Sequence, residues 1–152
     1  MASRTSPTAP RRAALVGWRL LALSYDLFPV FGLWFLVAAT FVAIHRDAVT
    51  GGALGLLEFA ALWAVTGVYA VMSWRRGGQT LGMRPWRLRV VGGDGSPATV
   101  TALWLRYAVG GVSLLAAGLG FWWAWLDRDR LTWHDRASRT RMVREPVSRE
   151  PA

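Results

Sequence analysis

The sequence predicts an all-α membrane protein: two full transmembrane helices, a third apolar helical segment that is broken or re-entrant, and a small cytoplasmic β-hairpin. Three observations lead there. Hydrophobic residues fill 53% of the 152 positions and the mean hydropathy is +0.27, which is too apolar for a water-soluble globule of this size. Apolar stretches at 15–44, 53–74 and 102–126 each reach the ~20 residues that a bilayer core requires. Between the second and third, Arg75, Arg76, Arg84, Arg87 and Arg89 face Asp94 alone, a positive excess that marks a cytoplasmic loop at 75–101.

Residues 1–12, MASRTSPTAPRR, are small, polar and basic, and read as a disordered basic tail on the cytoplasmic side. The membrane domain covers 13–144, and 145–152 read as a second disordered tail. From Trp18 to Ile44 a helix spans about 40 Å against a hydrocarbon core of ~30 Å, so tilt or a kink has to absorb the excess. Pro29 offers the kink: lacking an N–H, it leaves the Tyr25 carbonyl without a helical partner beside Asp26. Arg19 and Asp26 are seven residues apart and therefore look toward one side of that helix, about 10 Å apart along its axis. Antiparallel pairing with the second helix, with Trp18 level with Trp74, puts Asp26 near Thr66 and Gly67. Glu58 falls near the outer face.

After the second helix, Gly77-Gly78-Gln79-Thr80-Leu81-Gly82 forms a turn. Arg87–Val91 and Ala98–Val100 then read as the strands of a hairpin, joined by Gly92-Gly93-Asp94-Gly95, and Thr101 as the N-cap of the third segment. That segment is ambiguous. The uncharged run Tyr107–Leu126 is long enough to cross once, yet the chain after it carries Arg128, Arg130, Arg136, Arg139, Arg141, Arg144 and Arg149, which belong with the cytoplasm. Gly110, Gly111, Gly118 and Gly120 allow a break and a return to the inner side. Thr140–Arg144, TRMVR, would then join Arg87–Val91 as a third strand.

Charges within apolar segments are the natural functional candidates. Arg19, Asp26 and Arg106 are expected at similar depth, as one cluster that either fixes helix packing or exposes Asp26 to protons and a monovalent cation. Asp127 and Asp135 complete the candidates for transport or ion pairing; Tyr25, Pro29, Thr66, His134 and Arg136 are secondary. Two histidines, His45 and His134, expected on opposite sides, argue against a metal site. No nucleophile–base–acid spacing and no dinucleotide glycine motif appears, so neither enzyme activity nor a cofactor is expected. The basic loop holds no nucleic-acid recognition module. Every basic residue is arginine, a side chain that grips phosphate bidentately and so suits lipid headgroups as well as it suits a base-composition bias.

Arg19 and Asp26, Gly78-Gln79-Thr80 with Gly82, the RLRVV strand, Arg106, Asp127, and Thr132 with His134-Asp135-Arg136 and Thr140 together resemble the RDD family of small bacterial membrane proteins, named for one arginine and two aspartates. The resemblance runs from about Arg12 to Arg144. Asp127 and Asp135 both stand as the family's second aspartate. The chain departs from the pattern at Met83-Arg84, where a lysine usually follows the glycine, and at Ala137-Ser138-Arg139, where an Ala-Gly pair usually precedes the threonine. The resemblance implies a multi-pass protein of the bacterial inner membrane with a transport role, cation–proton exchange being suggested for some members. Two readings follow: transport of a small ligand or monovalent cation coupled to protons at Asp26, within a homo-oligomer or beside a partner membrane protein, or a non-catalytic accessory subunit whose Arg–Asp cluster holds helices together.

Overall fold

A computed structural model of the chain describes residues 15–145; the tail expected at 1–12 and all but the first residue of the one at 145–152 lie outside the described residues. Two long helices lead, α1 (Val16–His45) and α2 (Gly52–Gly77), close to the boundaries expected from composition. Both are long and apolar enough to cross a membrane. Phe28, Phe35 and Ile44 are between 72% and 80% exposed, as side chains solvated by lipid rather than water should be. α1 continues through Pro29 without interruption. Counting ~20 residues back from His45 for a ~30 Å core places the other boundary near Asp26. The N-terminal turns of α1, which carry Arg19 and Asp26, belong to the charged end of the molecule.

The pairing of α1 with α2 differs from the expected register. Thr66 lies opposite Trp34, whose indole N–H donates to the Thr66 hydroxyl at 2.8 Å. That hydroxyl donates in turn to the Leu62 carbonyl, which leaves its lone pairs for the indole. Asp26 instead meets residues beyond Thr66 on α2. Between α2 and the next helix, Gly67 admits Trp104 and Tyr107; a Cβ at Gly67 would stand 2.6 Å from the Trp104 ring. Small residues of this kind let helices approach closely where no hydrophobic force drives them together.

α2 ends at Gly78, whose left-handed backbone (φ 71°) turns its N–H back to the Trp74 carbonyl, a conformation that costs glycine least. The Gly78 carbonyl accepts from Val90 N–H at 2.8 Å, tying the loop to strand β1 (Leu88–Gly92). The expected returning strand at Ala98–Val100 does not form. Thr99, not Thr101, caps helix α3 (Val100–Leu115) by accepting from Ala102 N–H at 3.3 Å, so Val100 is already helical. The partner of β1 is β2 (Thr140–Arg144), antiparallel, with Leu88 opposite Arg144 and Gly92 opposite Thr140. The sheet has two strands far apart in sequence instead of a local hairpin.

α3 breaks at Ala117 and Gly118, both left-handed, and α4 (Leu119–Leu126) leaves at 98° to it. A one-turn helix, α5 (Trp133–Ala137), and β2 follow. Because β2 pairs with β1, and Glu145 N–H donates to the Arg87 carbonyl at 2.9 Å, the chain comes back to the end from which α3 set out. α3 and α4 thus form a bent apolar pair and not one straight span. At that end Ala22, Val71, Met83, Leu88, Val90 and Leu103 form the buried apolar core, which joins the sheet to all three long helices.

Candidate functional site

The charged end holds two separate constellations. The first is built on α5. Thr132 starts this helix by accepting from Asp135 N–H at 3.3 Å, and Asp135 Oδ2 accepts from Thr132 N–H at 3.2 Å, a reciprocal capping box that fixes the carboxylate. Two arginines converge on it: Arg19 Nη2 donates to Oδ2 at 2.7 Å, and Arg106 Nη1 donates to Oδ1. Arg19 Nη1 also donates to the Thr132 hydroxyl at 3.2 Å and to His134 Nε2 at 3.3 Å. Arg106 donates to the Thr140 hydroxyl at 2.8 Å and lies over the Trp74 ring. Arg19, Arg106 and Asp135 are 3%, 2% and 0% exposed, so the cluster is desolvated and stands only because each ion is paired. It links the N-terminal helix, the third helix and the C-terminal segment.

Burial alone would raise the Asp135 carboxyl, but the Arg106 and Arg19 guanidiniums outweigh it and hold the group well below the ordinary carboxylate range. His134 is lowered well below its ordinary 6.5, first by burial and then by the charge of Arg106, with Arg19 adding and Asp135 opposing. Its Nε2 accepts from Arg19, which assigns the ring proton to Nδ1, beside Gly110, with Phe121 packed 4.8 Å away. A histidine that is neutral when folded takes up a proton on unfolding, so stability falls as pH drops through 6.5. The Asp135 contribution is lost only below 3.8 and leaves that window undisturbed. In detergent, the Tm of the wild type is expected to decline between pH 6.5 and 5, by an equivalent of about 1.4 kcal/mol per pH unit, and His134→Gln to flatten this decline. A His134→Gln slope equal to that of the wild type would refute the assignment.

Asp26 is not part of this cluster, contrary to the expected Arg19–Asp26–Arg106 grouping. Its Oδ1 accepts from the Tyr69 hydroxyl at 2.7 Å and from Gly82 N–H at 2.8 Å, and its Oδ2 from the Thr80 hydroxyl. Leu81 N–H donates to the Tyr69 oxygen at 3.2 Å. Among the described residues no cation pairs with Asp26. The separation has a steric cause: the Thr80–Met83 turn presses onto α1 between the two charges. A Cβ at Gly82 would collide with the Ala22 carbonyl and stand 2.8 Å from the Asp26 carboxyl carbon. Neighbouring Ser24 donates to the Leu20 carbonyl, and the Tyr25 ring lies edge-on to Trp86.

Asp127 stands apart from both. It accepts from Arg136 Nη2 at 2.6 Å and from the backbone of Leu131 and Asp129, which closes the α4–α5 connection. Of the two candidate aspartates, Asp135 is the one that Arg19 reaches. Pro29 and Thr66 contribute to the helices rather than to either cluster. No group of three His, Asp or Glu side chains among the described residues could hold a metal ion. Thr80, Thr132 and Thr140 entered the sequence reading only as part of the family resemblance, without a partner, and Tyr69 did not enter it. The spacing Thr132-x-x-Asp135 is itself a capping-box signal, whereas nothing local marks Tyr69.

No curated protein and no solved structure gives a match to this chain. The RDD family model matches residues 13–139, a stretch that contains Arg19, Asp26, Arg106 and Asp135 and both membrane-length helices. The chain therefore belongs to the RDD family and is a membrane protein of that family.

Proposed function

We propose that this protein is a non-catalytic accessory subunit of the bacterial inner membrane, with its N-terminus and the 75–101 loop in the cytoplasm, whose name-giving charges serve architecture. One observation carries the reading: Arg19, Arg106, Asp135 and Asp26 are each engaged by hydrogen bonds from a different element of the same chain. The first three lock the bent segment to α1, and Asp26 latches the Thr80–Gly82 turn. Charges used this way hold segments that lipid would otherwise let drift apart. Three apolar segments enclose little space, so the natural setting is an assembly, with a second copy or another membrane protein on the exposed helix faces.

A specific observation favours transport as the second reading. Asp26 is a half-buried acid without a cationic partner among the described residues, and Tyr69, which bonds it, also lines an open cleft. Hydroxyls that donate to a carboxylate can turn their oxygens toward a bound monovalent cation instead. Proteoliposomes carrying sodium or potassium gradients separate the two. On the accessory reading, proton flux from purified wild type equals that of empty vesicles, and Asp26→Asn changes nothing but stability. Flux well above the empty-vesicle level that Asp26→Asn abolishes, with insertion intact, would overturn it in favour of exchange at Asp26.

A further inference from the structure

Apart from Tyr69 and Leu81, the cleft between the last turns of α2 and the loop that follows is lined by residues that belong to neither constellation. It encloses ≈ 410 Å³, and Tyr69, Ser73, Arg76, Gln79 and Arg84 supply its polar lining. Neither Arg76 nor Arg84 forms an ion pair among the described residues. The remaining wall is apolar and open: Val68, Met72 and Leu81 are 50%, 40% and 51% exposed. Polarity thus runs in one direction along α2, with two guanidiniums at the charged end and a greasy strip leading toward the core of the bilayer. Paired guanidiniums match the oxygens of a phosphate, and the strip matches an acyl chain.

From this we infer that the cleft is a docking site for an anionic phospholipid, with Arg76 and Arg84 on the phosphate and the acyl chain along Met72 and Val68. A free phosphate would satisfy only the arginines and leave the apolar wall without a partner. Tyr69 joins the occupied cleft to Asp26, so a docked lipid would also brace the latch. The site does not depend on whether the protein transports anything.

The test uses the full chain in a neutral detergent, with lipid retention followed by native mass spectrometry and Tm by intrinsic tryptophan fluorescence. Phosphatidylglycerol is expected to be retained as one tight copy and to raise Tm, while phosphatidylcholine at the same concentration is not retained. The double variant Arg76→Gln/Arg84→Gln is expected to lose at least tenfold in phosphatidylglycerol affinity while keeping its lipid-free Tm. A control that removes the same charge elsewhere, Arg75→Gln/Arg89→Gln, is expected to keep most of it. Equal losses in both variants would reduce the effect to general basicity and overturn the site. So would an equal Tm rise with inorganic phosphate alone, which would make it a free-anion site.

Discussion

Asp135→Asn is expected to be among the most damaging single substitutions in the chain, costing about 3–5 kcal/mol, the usual penalty for removing one partner of a buried ion pair. Arg19 and Arg106 would be left 3% and 2% exposed, facing an amide that carries no charge. The capping box at Thr132 would weaken as well, since the Asp135 carboxylate receives the Thr132 N–H. The losses meet at one point, so α5 and β2 should come away from α1 together. Tryptophan-monitored unfolding in detergent measures this directly. The charge argument makes a sharper demand: adding Arg106→Met to Asp135→Asn removes one stranded cation and should restore part of the stability. A double variant less stable than Asp135→Asn would show that the arginine contributes by packing and not by charge.

Gly82→Ala is expected to follow, at about 1–3 kcal/mol, the range for forcing an extra carbon into a filled space. The upper end is the better expectation, because the new methyl meets the Ala22 carbonyl, backbone that cannot swing aside as a side chain would. The turn must lift off α1, and with it go the Gly82 N–H and the Thr80 hydroxyl that hold Asp26. Asp26→Asn should cost less, since Tyr69 and Thr80 can rotate their hydroxyls to suit an amide while the turn stays seated. Comparing the two Tm values checks the order. If Asp26→Asn proves the more harmful, the carboxylate charge matters more to the latch than the fit of the turn.

The membrane helices were legible because lipid imposes a length and a composition that no other solvent does. The break in the third segment was legible too, from Gly110, Gly111, Gly118 and Gly120, and so was the pairing of TRMVR with RLRVV. The strand at Ala98–Val100 was misjudged because Ala-Thr-Val suits a strand by composition, while a threonine two residues earlier than the Thr101 expected, Thr99, caps the helix. Helical spacing placed Arg19 and Asp26 on one side of α1, but it could not reveal that the Thr80–Met83 turn would wedge between them. The meeting of Arg19 with Asp135 spans 116 residues, and no local pattern encodes a contact of that range. Its trace was the family resemblance, which named the partners without saying which aspartate belongs to which arginine.

A double-mutant cycle on Arg19 tests this division most directly, with unfolding free energies for Arg19→Met combined once with Asp135→Asn and once with Asp26→Asn. Residues in one buried network couple by about 0.5–3 kcal/mol, and independent sites add. The structure predicts coupling near the top of that range between Arg19 and Asp135, and additivity within ~0.5 kcal/mol between Arg19 and Asp26. Strong coupling of Arg19 to Asp26, with none to Asp135, would contradict it.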